Sequence, residues 1–388
     1  MNRYTLAVVT GTRAEYGLLR GVLQALKAST LLQTQLIVTG AHLAPEFGST
    51  VSEIEKDGFP IAARIPILKF GTGTPYATAQ TVAYTLEQFN EQFHTHRPDA
   101  VLVLGDRYEI FAVSTAAAMQ EIPLLHISGG DVTHGAADDY YRHCITKMAS
   151  LHFPSCAEYA NRVIRMGEAP ETVHNVGGLG DENLRKLPLL PRETLGESIG
   201  FDTAQPYVLV TYHPETVGGA SPSEQFSALL RALAKFNVGC IFTKANADAG
   251  GQDINALIDA ACAENSRYVV FTSMGVLRYL SAMKYCAAVV GNSSSGVVET
   301  PTLGVPAVNI GTRQSGRILC DNVLCCAADE AAITAALQTA LSPEFAAVAH
   351  KTVSPYNGGD TAQKIVRIIE AFLQSPACGA PKKFYDML

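Results

Sequence analysis

The sequence predicts an α/β protein made of two doubly wound domains, each a parallel sheet with helices on both faces. Three observations predict it. Short, mainly apolar runs such as Ala100–Leu104 and Ile122–Ile127 have the length of strands buried on both sides. Helical stretches separate these runs, as crossover connections between parallel strands require. The alternation stops at the Pro-rich stretch Leu187-Pro188-Leu189-Leu190-Pro191 and then restarts. The length of 388 residues also favours two domains. The expected division is a first domain over 1–186, a hinge at 187–191, a second domain over 192–365, and a segment 366–388 that crosses back to the first.

Taken in order, Tyr4–Val9 is a strand, Thr10–Gly17 a glycine-containing turn, and Leu18–Lys27 an amphipathic helix. Gln35–Thr39 is the next strand. Residues 45–75 are rich in Pro, Gly and charge, and Gly71–Pro75 within them reads as a mobile loop. Ala77–Phe93 has helical periodicity. Ala100–Leu104, Ile110–Met119 and Ile122–Ile127 form a strand–helix–strand unit. Asp138 and Asp139 suit the start of a helix running to Met148. Leu151–Pro154 and Val173–Val176 read as short strands. In the second half the strands are Tyr207–Thr211, Gly239–Thr243, Tyr268–Thr272, Ala287–Val290 and Val305–Ile310. Its helices are Ser223–Phe236, Ile254–Cys262 and Met274–Lys284; another opens after Gly296, and Thr361–Leu373 is the last.

Composition narrows the function. The formal charge of −7 comes without any Lys/Arg run, which argues against a nucleic-acid partner. The nine cysteines include no CxxC pair and no zinc spacing, so neither a metal nor a disulfide framework is expected. Thr5–Val9 is too short for a signal-peptide core, and no apolar run reaches spanning length. The expectation is a soluble cytoplasmic protein with no membrane partner.

Ligands in such sheets lie beyond the carboxyl ends of the strands, and charge gathers there. Asp106 and Arg107 follow one strand; Asp131, then Asp138 and Asp139, follow the next. Clustered carboxylates suit a site that moves protons, since a buried one beside others has its pKa raised. Asp131 follows Gly129-Gly130, where small residues let a bulky ligand approach. Asp139 pairs equally well with Arg142 or His143, and His134, Arg142 and His143 are candidates for the same pocket. Gly11-Thr12-Arg13 offers amides and a guanidinium to a phosphate or carboxylate, or is a tight turn with a surface Arg. Asn292-Ser293-Ser294-Ser295-Gly296 places three hydroxyls before a helix, which favours a diphosphate over simple capping. Glu299 then lies within reach of ribose hydroxyls. His213, ahead of Pro214, is a phosphate donor, a proton carrier or an ordinary loop histidine.

Six motifs occur in order: GTRAEYG, VLVLGDRYE, HISGGDVTHGAADDYYRH, VTYHPET, GNSSSGVVET and GVPAVNIGTRQSGR. Together they resemble the UDP-N-acetylglucosamine 2-epimerase family, nearest its hydrolysing branch. The resemblance spans about Leu6 to Arg317. It implies two Rossmann-like domains facing across a cleft, the glycosyltransferase-B arrangement. It also implies a nucleotide-sugar ligand, no cofactor, and a homodimer or homotetramer. The implied reaction converts UDP-N-acetylglucosamine and water to N-acetylmannosamine and UDP, by anti elimination of UDP and hydration of a glucal-type intermediate. The implied acid/base set is Asp106, Asp131 and Asp138. Arg13 meets the diphosphate; His213 and Asn246 line the nucleotide pocket; Ser293 and Ser294 hold phosphate and Glu299 the ribose. Arg107 and Arg313 close over the nucleotide. Ser128 stands where several relatives carry a catalytic Glu, and Asp139 competes with Asp138. The same skeleton serves relatives acting on UDP-2,4-diacetamido-2,4,6-trideoxyglucose or a GDP-linked sugar, and a retaining glycosyltransferase shares the architecture.

Overall fold

The computed structural model of the chain describes residues 3–45, 50–71, 74–132, 138–214, 221–245 and 251–386. Its contacts divide the chain into two compact units, Met1–Asn183 with Pro355–Leu388, and Leu184–Ser354.

In the first unit the strands are β1 Tyr4–Thr10, β2 Leu32–Thr39, β3 Ile61–Ile65, β4 Ala100–Leu104, β5 Leu124–Ile127 and β6 Leu151–Phe153. All pair in parallel, in the order β3-β2-β1-β4-β5-β6. The helices are α1 Arg13–Lys27, α2 Val51–Lys56, α3 Pro75–Thr95, α4 Tyr108–Met119, α5 Asp138–Met148 and α6 Ala157–Arg165, and α7 Leu179–Lys186 spans the division between the units. Side chains alternate along β1. Leu6 and Val8 enter a core with α1, while Ala7 and Val9 face a second core with Phe89 and Phe93 of α3 and Ile110 and Val113 of α4. α4 is buried nearly all round, as its uniform apolarity demands.

The second unit repeats the plan. Its strands are β7 Tyr207–Thr211, β8 Gly239–Thr243, β9 Tyr268–Phe271, β10 Ala288–Gly291, β11 Ala307–Ile310 and β12 Val323–Cys326. The order is β12-β11-β10-β7-β8-β9, again all parallel. The helices are α8 Arg192–Ile199, α9 Pro222–Leu233, α10 Gly251–Glu264, α11 Gly275–Tyr285, α12 Ser295–Val298, α13 Thr300–Leu303, α14 Glu330–Ala340 and α15 Pro343–Lys351.

The final helix, α16 Thr361–Leu373, lies in the first unit along its whole length. Ile365, Val366, Ile369 and Phe372 join the α1 core, and Glu370 accepts a hydrogen bond from Ser29 at 2.5 Å. The chain enters that unit at Pro355, ahead of the expected residue 366, because Tyr356 and Thr361 already bond to Gly178 and Val176. No described helix is long and apolar enough to cross a membrane.

Several expectations are corrected. Residues 45–75 hold α2 and β3 as well as turns. Residues 173–176 form no strand; only Val173 makes a single bridge, to His152. α1 starts at Arg13, five residues earlier than Leu18, because Thr12 and Glu15 form a capping box there. The helix expected after Gly296 is two four-residue pieces, α12 and α13, with Pro301 in the second. Residues 72–73 of the Gly71–Pro75 stretch lie outside the described residues.

Candidate functional site

Both sheets reverse direction of winding at one place: between β1 and β4 in the first unit, and between β7 and β10 in the second. Such switch points leave a crevice beyond the strand ends, where α/β proteins take ligands. Arg13, Asp106, Arg107, His213, Ser293 and Ser294 follow these strands, while Asp131 follows β5 and Arg313 follows β11.

In the first unit the organiser is Arg142, buried on the second turn of α5. Its Nε and Nη2 both donate to Oδ2 of Asp106, the Nε bond at 3.0 Å. Its Nη1 donates to the Asp131 carbonyl and to Oδ1 of Asp139, each at 3.0 Å. One guanidinium therefore ties the ends of β4 and β5 to α5, using the fork geometry that lysine lacks. Asp131 is half-buried, with Oδ1 shielded from solvent. The Asp138 carboxyl is raised above the usual range, first by partial burial and then by the charge of Asp106. Asp139 also faces His143 Nε2 at 3.6 Å, and burial pushes that imidazole down, so it is held neutral. Beneath them His126, fully buried and pushed to about 3 by burial, donates from Nε2 to the Gly105 carbonyl at 2.9 Å.

Arg107 caps the N-terminus of α4 and donates from Nε to the buried Glu109 at 2.5 Å. Glu109 lies beside Glu15, a pairing that sequence reasoning missed. Burial, then the Glu109 charge, pushes Glu15 up to about 8. A Cβ on Gly11 would stand 3.3 Å from Glu109 Oε1 and 3.5 Å from Glu15 Oε2.

That carboxylate changes the reading of the first turn. Glu15 Oε2 accepts from the amides of Gly11 at 2.7 Å and Thr12 at 3.2 Å. The donors expected to meet an external anion are thus taken by an internal carboxyl oxygen. Arg13 points its Nε to Glu53 at 3.2 Å in an exposed ion pair. Gly129 and Gly130 also prove to serve packing rather than ligand approach. A Cβ on Gly130, whose φ is +89°, would lie 2.4 Å from the Tyr159 carbonyl oxygen; one on Gly129 would lie 3.0 Å from Thr146 Oγ1.

In the second unit the organiser is Asn292, fully buried at the end of β10. Its Oδ1 accepts from the His213 amide at 2.7 Å and its Nδ2 donates to the His213 carbonyl at 2.9 Å. Its own carbonyl accepts from Gln314 at 2.8 Å and from Arg313 Nη1 at 3.3 Å. His213, Ser293, Ser294 and Arg313 are therefore gathered around one residue. Gly291, at φ +137°, makes the turn possible, because a Cβ there would lie 2.0 Å from the Thr211 carbonyl oxygen. Ser293 and Ser294 are half-buried, and among the described residues their amides donate to no acceptor. The helix beyond them is a single turn, so amides and hydroxyls, more than a helix dipole, are what this turn could offer an anion. Glu299 is half-buried one turn on; burial raises its carboxyl, and Oε2 has no partner among the described residues. Asn246 and His134 lie outside the described residues. Signals existed for Arg142 and Asn292 in their motifs, but their partners are distant in sequence.

Residues 24–370 match the model of a family described as UDP-N-acetylglucosamine 2-epimerase. The GDP/UDP-N,N'-diacetylbacillosamine 2-epimerase (hydrolyzing) of Campylobacter jejuni is 38% identical, covering 84% of this chain and 84% of that protein. Polysialic acid biosynthesis protein P7 of Escherichia coli is also 38% identical, covering 98% of this chain and 96% of that protein. The solved structure of UDP-GlcNAc 2-epimerase from Neisseria meningitidis, bound to UDP-GlcNAc, has the same fold. Its TM-score is 0.80 at 17% identity, over 94% of this chain and 99% of that one.

Proposed function

The chain belongs to the UDP-N-acetylglucosamine 2-epimerase family, and from that premise we propose that it hydrolyses UDP-N-acetylglucosamine to N-acetylmannosamine and UDP. The observation that carries the reading is the Asp106 carboxylate clamped by Arg142, with Asp131 and Asp138 beside it at the end of the sheet.

In this reading a carboxylate takes the C2 proton as the C1–O bond to the diphosphate breaks. The electron pair of the C2–H bond forms the C1–C2 double bond, and UDP leaves with the C1–O pair. Water then adds at C1, and C2 receives a proton from the opposite face. Asp106, held in one orientation, is assigned as base, and Asp138, with its raised pKa, as holder of the returning proton. Asp131 completes the acid/base set. The leaving diphosphate is met by Ser293, Ser294, His213 and Arg313, with Arg107 and Arg13 as further cations. Glu299 accepts from ribose hydroxyls, and Asn246 lines the same nucleotide pocket. Functional assembly as a homodimer or homotetramer and a cytoplasmic location accompany the proposal.

A second substrate has a specific observation behind it. The Campylobacter relative is named for a diacetylated bacillosamine donor at 38% identity. The Escherichia relative, equally identical, is named for polysialic acid biosynthesis. Turnover in D₂O tests both. UDP-N-acetylglucosamine should give free UDP and N-acetylmannosamine carrying deuterium at C2. Product without deuterium overturns the elimination. Turnover confined to the UDP-linked or GDP-linked diacetamido sugar moves the assignment to the second substrate. UDP release that requires a sugar acceptor makes the protein a glycosyltransferase.

A further inference from the structure

We propose that Lys382 is a positioning residue for α5: it caps the C-terminal end of that helix and thereby sets where Asp138, Asp139 and Arg142 stand. The activity arm of this inference rests on the function proposed above; the structural arm does not.

α5 carries the acid/base candidates on its first two turns and ends at Met148. The last carbonyls of any helix lack intrahelical donors. Here a side chain distant in sequence supplies them. Lys382 Nζ lies 2.6 Å from the Ala149 carbonyl, 2.7 Å from that of Lys147 and 3.3 Å from that of Thr146. A cation at this end also complements the helix dipole.

The same ammonium is anchored from beneath. Glu168, buried, lies 2.6 Å from Lys382 Nζ through Oε2, 2.5 Å from Lys147 Nζ through Oε1, and accepts from His152 Nε2 at 2.9 Å. Burial alone would raise the Glu168 carboxyl, but the bonds from His152, Lys147 and Lys382 outweigh it and pull it down to about 2. The segment around Lys382 is seated independently. Tyr385 donates its amide to the Gly167 carbonyl at 3.0 Å. Gly167 has φ +89° and no room for a Cβ, which would meet the Phe384 ring at 2.3 Å. Lys147 Nζ stands 4.9 Å from the centre of that ring.

An ordinary helix end needs one or two bonds, often from a glycine turn. An ammonium shared by three carbonyls and a buried carboxylate fixes the helix along its axis and about it. α5 is a stiff rod of 11 residues, about 16 Å long at 1.5 Å per residue. Movement at its far end is therefore transmitted to Arg142. The Arg142–Asp106 bonds tolerate a few tenths of an ångström before they weaken, and misplacing a catalytic group by about 1 Å can lower rate about 100-fold.

The test compares Lys382→Met and Lys382→Arg in the full chain. Hydrogen–deuterium exchange of amides 140–149 should quicken about tenfold in K382M and stay near wild type in K382R, with α4 unchanged in both. In the D₂O assay kcat should fall about 10- to 100-fold in K382M with KM within about twofold, and K382R should recover most of it. Unchanged α5 exchange in K382M overturns the inference, as does a kcat loss of equal size in both variants. A wild-type protein inactive on every sugar nucleotide would overturn the proposed function, while the exchange comparison would still decide this one.

Discussion

Arg142 holds Asp106 with two of its nitrogens from a buried position, while the Asp106 side chain keeps 28% of its surface open. The restraint lies on the protein side and the exposed side is left for a substrate. Lysine at 142 would present one point charge and could not reproduce the fork onto Asp106, Asp131 and Asp139 together. Arg142→Lys is expected to lower kcat about 100-fold, leave UDP affinity within about twofold, and cost about 1–3 kcal/mol of stability. Steady-state UDP release and UDP titration check it. An unchanged kcat would show that the orientation of Asp106 does not matter to the reaction.

Asn292 plays the matching part in the second unit, bonding both backbone groups of His213. Asn292→Ala leaves a buried amide and carbonyl unpaired, which costs about 1–3 kcal/mol for each group not rescued by water. Asn292→Asp retains an acceptor for the amide but loses the donor. UDP affinity should fall at least about tenfold in both variants if the His213 turn and the serines form one phosphate cradle. Calorimetric titration with UDP reads this directly, and wild-type affinity in N292A would separate His213 from the cradle.

The interior strands were legible because burial on both faces writes them as continuous apolar runs; Ala100–Leu104 and Tyr207–Thr211 match the structure residue for residue. Two of the four edge strands, β3 and β12, were not. Ile61–Ile65 alternates in exposure, carries Arg64 and shifts register against β2, so its signal is that of a turn-rich loop. Val323–Cys326 is likewise only partly covered. The carboxylates of the site were visible as charges at strand ends. Their organisation was not, since the bond from Arg142 to Asp106 joins residues 36 apart and that from Asn292 to His213 joins residues 79 apart. Gly129-Gly130 was misread, and Gly11 left open between two readings, for a different reason. A glycine reports close approach without saying by what, and the approaching groups are Tyr159, Thr146 and two glutamates.

Gly130→Ala tests that correction. With φ +89° and the Tyr159 carbonyl 2.4 Å from the new Cβ, the variant must strain the backbone and push α6 away. The backbone conformation alone costs about 1–3 kcal/mol. A clear fall in Tm is expected, with kcat reduced through displacement of the adjacent Asp131. Had the glycines made room for ligand, the same variant would keep its Tm and lose only substrate affinity. Thermal denaturation beside a substrate titration separates the two.

Glu15 makes stability depend on pH in a direction that can be worked out. Its carboxyl titrates near 8 in the folded protein, held there by burial and by Glu109, against about 4.5 as the ordinary value. Between those two values the folded chain binds more of this proton than the unfolded chain, so stability falls as pH rises. Burying a second charge beside Glu109 is the physical cost, and near pH 8 and above it is fully expressed. Glu15→Gln retains an oxygen for the Gly11 and Thr12 amides, which lie 2.7 and 3.2 Å from Oε2, and offers its NH₂ to the second carboxylate. The variant should therefore be at least as stable as wild type at pH 8.5, with a flatter Tm profile between pH 5 and 8. Matching profiles for the two proteins would overturn the assignment of this pH dependence to Glu15.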